Sequence, residues 1–299
     1  MKVRYGTSTA RGRRPTQQDE ALVVSHVADH ADWYLFVVLD GHGQYGHKVS
    51  QFAKSRLPKI IHQFAPRIET DTAAVLTAAF AELNEEITEN VDCFDPYLSG
   101  TTVTAALFLG DVIHIANVGD SRIIHGQGPP PTSTTDNPDT MPPAAGWQIK
   151  QLTRDHTCSD PEEQERVVSK GARVERMREG DHYEGPLRIF KGTLPYPGLV
   201  VTRALGDTSA RKLGVIGVPE LTTLHPKPGQ HCLVLATDGV WDGLTNEDVV
   251  GLVTPHFSVD SNEAATTASH DLTDASLKAL DRIRVDDNTT NVCVFFTCP

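Results

Sequence analysis

No stretch of the chain approaches the roughly 20 consecutive apolar residues that a membrane-spanning helix needs. The opening segment, Met1 to Arg14, is polar and lacks the apolar core of a secretion signal. Lys2 stands where N-myristoylation requires glycine, which excludes that lipid anchor. Cysteine is sparse: Cys93, Cys158, Cys232, Cys293 and Cys298 make an odd number without a C-x-x-C pair, three of them in or beside apolar runs. This usage speaks against a disulfide framework and reads as buried thiols of an intracellular protein, cytoplasmic and also possible in the nucleus. Positive charge is short as well. With 27 basic against 39 acidic side chains the formal charge is −12, which argues against a protein that coats nucleic acid or an anionic membrane.

A linker is also missing. Apolar clusters run from Trp33 to the last residues without a shift in composition, so the 299 residues, 39% of them hydrophobic, are expected to form a single domain over 1–299. One segment departs from the rest. Residues 126–146 hold three consecutive prolines, Pro129 to Pro131, among Ser, Thr, Gly and Asp, and read as a flexible surface insertion.

What is present alternates between two periods. Trp33 to Leu39 is a continuous apolar run, as in a strand buried on both faces. Val49, Phe52, Ala53, Leu57, Ile60, Ile61 and Phe64 recur at three and four, predicting an amphipathic helix with a bend at Pro58. Val75, Leu76, Ala79, Phe80, Leu83, Ile87 and Val91 mark a second helix with Asp71 as its cap. Val103–Leu109 and Val112–Val118 read as strands joined by Gly110-Asp111, with Arg122–His125 following as a third. Further on, Asp160 and Pro161 open a short helix that Gly171 closes. Cys232–Thr237 and Asn291–Thr297 read as strands, Thr245–Val253 and Asn262–Ile283 as helices. Strands arrive in runs, which favours antiparallel sheets covered by helices over a doubly wound parallel sheet.

Three acids stand at the ends or edges of these strands. Asp40 and Asp238 each end an apolar run and precede a glycine, in VLDGHG and ATDGVWD, and Asp287 lies in DDNTTNV just before the last strand. Brought within about 4 Å of one another, two carboxylates repel by roughly 4 kcal/mol at an effective dielectric of 20. A hard divalent cation removes that cost, and an all-oxygen donor set favours Mg²⁺ or Mn²⁺ over zinc. Glycine after Asp40 leaves the Gly41 carbonyl open to the same ion. Asp-Gly is also a common turn dipeptide, although VLDGHG leads into a helix rather than a hairpin partner. Two decoys share these segments. Gly41, Gly43 and Gly46 have dinucleotide-loop spacing, but Asp40 would repel a pyrophosphate and no acid-ended strand follows the next helix. Gly119-Asp120-Ser121 lacks the G-x-S-x-G elbow of a serine hydrolase.

Eight segments in order carry a likeness: RPTQQD (14–19), VLDGHG (38–43), SGTTVTAAL (99–107), ANVGDSR (116–122), LTRDHT (152–157), TRALGD (202–207), ATDGVWD (236–242) and DDNTTNV. Together they resemble the type 2C protein phosphatases, the metal-dependent Ser/Thr phosphatases, along nearly the whole chain. The resemblance implies an α+β fold, a four-layer sandwich of two packed antiparallel sheets flanked by helices. It also implies hydrolysis of phosphoserine and phosphothreonine by water activated between two cations, Mg²⁺ or Mn²⁺.

By that likeness Asp40 would bridge the two ions, with Asp238 and Asp287 completing one and Gly41 helping to hold the other. Arg14 would bind the substrate phosphate, a task a planar guanidinium suits; without the motif it is one of several solvated arginines. His42 would protonate the leaving oxygen, or serve only as a hydrogen-bond partner of metal water. Asp120 and Asp242 border a third, weaker metal position in some members, or simply cap turns. Gln18, where an acid often precedes Asp19, would orient metal water from the outer layer. Residues 99–102 and 202–207 are expected to support the site. The stretch 176–198 corresponds to the family's variable flap. Partners implied are phosphorylated proteins, with neither nucleic acid nor membrane, for an enzyme acting as a monomer. A catalytically silent relative would usually have lost a metal acid, and all three are present.

Overall fold

The apolar run that begins at Trp33 has no polar side because both of its faces are covered. Leu35, Val37 and Leu39 point into one core and Phe36 and Val38 into another. This is a computed structural model that describes residues 1–129, 146–179 and 182–298. Its first part runs β1 (Lys2–Ala10), β2 (Asp19–Ser25), β3 (Trp33–His42), α1 (Gly46–Gln63), α2 (Ala65–Ile68) and α3 (Thr72–Glu89). There follow β4 (Gly100–Thr101), β5 (Val103–Leu109), β6 (Val112–Val118), β7 (Arg122–Gln127), β8 (Gln148–Gln151) and α4 (Pro161–Ser169). Then come β9 (Ala172–Glu179), β10 (His182–Lys191), β11 (Pro197–Leu199), β12 (Leu205–Gly206) and β13 (Glu220–Leu224). The chain closes with β14 (Gly229–Ala236), α5 (Asp238–Trp241), α6 (Asn246–Val253), α7 (Asn262–Ile283) and β15 (Thr289–Cys298).

Two antiparallel sheets face each other. One has the order β1-β15-β14-β7-β8, the other β12-β4-β3-β5-β6-β13 with β2 paired to β3. Between them Phe36, Phe108 and Phe296 meet edge to face, with centroids 5.2 Å and 5.5 Å apart. Such aromatic contacts add about 0.5–1.5 kcal/mol each beyond the area they bury. The apolar stripes of α1 and α3 (Val49, Leu57, Val75, Phe80) cover the outer face of the β3 sheet. On the far side Val249, Val253, Ala268 and Leu272 of α6 and α7 cover Cys232, Val234, Cys293 and Phe295. Helix, sheet, sheet and helix make four layers, the expected α+β sandwich. Among the described residues no helix is long and apolar enough to cross a membrane.

Local signals account for most helix ends. Asp71 accepts from Ala74 N (3.2 Å), and Asp160 accepts from the amides of Glu162 (3.0 Å) and Glu163 (3.1 Å), with Pro161 in the first turn. Thr245 and Asp248 form a reciprocal capping box.

Several expectations need correction. Met1 to Arg14, polar enough to hide a strand, contains β1: Val3, Gly6 and Ser8 face inward, and its backbone pairs with β15 along its length. β3 runs on past Asp40 to His42, because Gly41 and His42 pair with Thr101 and Gly100. The helix stripe stops short of Val91, since α3 ends at Glu89 and Val91 is exposed. Cys93 is exposed too, whereas Cys158, Cys232 and Cys293 are buried. Gly126 and Gln127 extend β7 rather than open an insertion; 130–145 lie outside the described residues. Across 176–198, where a flap is expected, β9, β10 and β11 form a third small antiparallel sheet of order β11-β10-β9.

That small sheet packs against α4, which carries an ion cluster. Glu163, 1% exposed, accepts from Arg166 (2.5 and 2.6 Å), from Arg203 (2.7 Å at the closest) and from Thr202 Oγ1 (2.5 Å). Burial alone would raise its pKa, but the two guanidiniums hold Glu163 far below the usual carboxylate range. A depressed carboxylate stabilises the fold fully above its unfolded pKa of about 4.3 and less as pH falls toward the folded value. Glu163→Gln is therefore expected to lose about 3 kcal/mol at pH 7, the low end for a buried pair, because Arg166 and Arg203 are partly exposed. In chemical denaturation at pH 7 and pH 3, the gap between variant and wild type narrows at the acid pH.

Candidate active site

The strand ends carrying Asp40 and Asp238 open on one cleft of about 650 Å³, which Arg14, Gln18, Gly41, His42, Asp120, Asp242 and Asp287 also line. Backbone contacts fix each acid. Asp40 N donates to Thr102 Oγ1 (3.0 Å), and the Asp40 carbonyl accepts from Thr102 N (2.9 Å), so the SGTT segment grips the strand from its neighbour. Asp238 opens α5 directly after Thr237, whose hydroxyl donates to Asp19 Oδ2 (2.8 Å). Asp242 follows one turn later, its amide bonded to the Asp238 carbonyl (2.8 Å).

Both glycines after these acids are required by close packing. A Cβ on Gly41 would lie 2.4 Å from Gly46 O and 2.7 Å from Gln18 O. On Gly239 it would lie 1.9 Å from Asn288 O. The second contact seats α5 against the segment that carries Asp287. Neither Asp-Gly pair is a hairpin turn, which resolves the ambiguity of these dipeptides.

Asp40, Asp120 and Asp238 each offer an oxygen, and these oxygens lie within 4.8 Å of one another. Burial, then the charge of Asp238, raises Asp40 well above the ordinary carboxylate range, and Asp238 is raised by burial and by Asp120. Asp120 is pushed up to about 7, chiefly by burial and then by Asp155. Asp19, 3% exposed behind Asp40, is pushed up to about 7 by burial despite its bond from Thr237. Asp242 is raised by burial and by Asp287. This is a cluster of acids short of cations, and its all-oxygen donor set fits a hard divalent metal.

Asp287 falls outside the tight group. Arg14 Nη2 lies 3.1 Å from its Oδ1 and 3.2 Å from its Oδ2, and Asn288 N donates to Oδ1 (2.9 Å). Asp120 thus stands closer to Asp40 and Asp238 than the expected grouping implied. Gln18 donates from Nε2 to Gly43 O (2.8 Å) and from its amide to Asn288 Oδ1 (2.8 Å).

His42 Nε2 lies 2.6 Å from Oδ2 of Asp207, which is itself 3% exposed. Burial pulls the imidazole pKa down, but the charge and hydrogen bond of Asp207 outweigh it and leave His42 raised. Asp207 was expected only as support within TRALGD; its pairing with His42 has no signal in spacing, since 165 residues separate them. Asp155 of LTRDHT also lines the cleft, held by Arg122 through Nε (3.1 Å) and Nη2 (2.5 Å). Its place in a motif was the available clue. The other wall comes from the small sheet, through Pro186, Leu187, Arg188 and residues 197–201.

The family model for protein phosphatase 2C matches residues 3–283, ending just before Asp287. A curated relative, "Probable protein phosphatase 2C 72" of Arabidopsis thaliana, is 32% identical over 294 residues, 95% of this chain and 82% of the relative. Among solved structures, serine-threonine phosphatase 2C from Toxoplasma gondii has a TM-score of 0.77 at 19% identity, covering 98% of this chain and 94% of its own. The catalytic domain of the serine threonine protein phosphatase PstP, in complex with 2 manganese ions, has a TM-score of 0.58 at 20% identity, covering 98% and 97%. These two likenesses carry the fold, while the sequence matches carry the descent. On both grounds the chain belongs to the protein phosphatase 2C family, the metal-dependent serine/threonine protein phosphatases.

Proposed function

We propose that the chain hydrolyses phosphoserine and phosphothreonine in proteins at this cleft, with Asp40, Asp120 and Asp238 holding divalent cations. The observation that carries the reading is the meeting of their oxygens within 4.8 Å. Asp287, the Gly41 carbonyl, Gln18, Asp19 and Asp242 surround that group. We infer two ions, Mg²⁺ or Mn²⁺, a count supported by the two manganese ions of the PstP catalytic domain, with a weaker third position near Asp120 and Asp242. When bound, such ions supply an acidified water for attack on phosphorus and offset charge on the phosphoryl oxygens.

The chain's own groups orient and protonate. Arg14 presents a planar guanidinium on the cleft wall and, from its place on Asp287, can give paired hydrogen bonds to phosphoryl oxygens. His42, its pKa raised by the charge and hydrogen bond of Asp207, donates to the departing serine or threonine oxygen, which would otherwise leave as a strongly basic alkoxide. The small sheet acts as the flap over a single catalytic unit. A charge of −12 argues against nucleic acid as a partner, for a monomer of the cytoplasm or nucleus.

Two experiments test these roles. Asp40→Asn is expected to abolish Mn²⁺-dependent hydrolysis of p-nitrophenyl phosphate and the thermal stabilisation by Mn²⁺, a shift of about 2.7 kcal/mol for wild type at a hundredfold excess over Kd. Full turnover by that variant would remove Asp40 from the reaction. His42→Ala is expected to cost roughly 10²–10⁴-fold on a phosphothreonine peptide. On p-nitrophenyl phosphate, whose leaving group needs little protonation, the loss is much smaller. Equal losses on the two substrates would rule out proton donation by His42.

A further inference from the structure

Arg188 is a guanidinium without a counter-ion in a cleft otherwise crowded with carboxylates. It sits on β10, directly across from Glu175 of β9, yet Glu175 is taken by Arg173. Among the described residues no carboxylate pairs with Arg188. Its single hydrogen bond runs from Nη1 to the carbonyl of Gly198 (2.8 Å), which ties it to β11. Nε is buried, and among the described residues neither it nor Nη2 has an acceptor.

The unused edge is the informative one. Nε and Nη2 form the side of a guanidinium that gives two parallel hydrogen bonds to a carboxylate or phosphate. A buried donor left without an acceptor costs about 1–3 kcal/mol, so a chain that keeps this edge free gains when an anion arrives. Arg14 occupies a different place, bound to Asp287, and its like charge together with burial makes Arg188 readier to release its proton. Arg14, held by Asp287, and Arg188, held by the Gly198 carbonyl, are thus fixed from different walls of the cleft.

We propose that Arg188 is a specificity-determining residue: its Nε/Nη2 edge, on the flap wall, receives a second anionic group of the substrate, a carboxylate or phosphate on a residue beside the phosphorylated one. The proposal rests on the phosphatase reading and deepens it. Preferred substrates are then acidic or multiply phosphorylated segments, which the net charge of the enzyme would otherwise repel.

The test compares three phosphothreonine peptides of one length, with neutral residues, with aspartates or with a second phosphoserine beside the phosphothreonine. Kinetics are measured with Mn²⁺ on wild type, Arg188→Gln and Arg188→Lys. Wild type is expected to favour the anionic peptides about tenfold in kcat/KM, through KM, the ratio that one charged hydrogen-bond pair supports. Arg188→Gln brings that ratio near one, and Arg188→Lys, which keeps charge without the fork, restores part of it. The aspartate and phosphoserine arms tell which anion is taken. Equal kcat/KM on all peptides in wild type overturns the proposal, as does a ratio that survives Arg188→Gln. An equal loss on every peptide also overturns it, by placing Arg188 on the reacting phosphoryl group or in the flap's architecture. No turnover of any peptide by wild type would instead sink the phosphatase reading itself.

Discussion

Carboxylates do not share a small volume willingly. Asp40, Asp120 and Asp238 are nonetheless forced together, and most of the local structure can be understood as what holds them against their repulsion. Thr102 grips Asp40 through two backbone contacts, Thr237 anchors the residue before Asp238 through Asp19, and Gly239 lets α5 close on Asn288. None of these restraints places a cationic side chain among the three acids. A cationic side chain inserted at the same place would neutralise the cluster and remove its affinity for metal. The restraint is thus separated from the charge, and the cluster stays available to a cation from solution.

Around that acidic floor the cationic groups are placed at the edges. Arg14 is held by Asp287, His42 by Asp207, Arg122 by Asp155, and Arg188 only by a carbonyl. Three of the four have an acid that sets their position, and in His42 the acid also raises the imidazole pKa. The fourth stands on the small sheet, which packs through Ala172 and Ile189 against Val167 of α4. The cleft thus has cations fixed by acids on the body and one held by a carbonyl on the small sheet.

The layers were legible in the sequence because burial on both faces leaves a simple mark: a strand such as Trp33–Leu39 must be apolar throughout. The helix α3 announced itself by stripe and cap. β1 did not, since an edge strand with a covered and an open face can be made of Lys, Arg, Thr and Ser. β9 and β10 were hidden in the same way by polar composition. Within the site, Asp40 and Asp238 stood out by their strand ends, and the motif order supplied Arg14, His42 and Asp120. Contacts such as His42 with Asp207 join distant segments through the register of β3, β4 and β12, and no local pattern encodes that pairing. The spare edge of Arg188 could not be read either, because it depends on which neighbour Glu175 chooses.

Asp40 and Asp238 hang from opposite leaves of the sandwich, the first on β3 and the second just beyond β14. A cation gripped by both is a clasp across the two leaves, fastened at their rim. Tightness of metal capture and spacing of the leaves then become one mechanical variable. A change of ring size at Phe36, Phe108 or Phe296, remote from every ligand oxygen, would be felt at the clasp as looser or firmer hold.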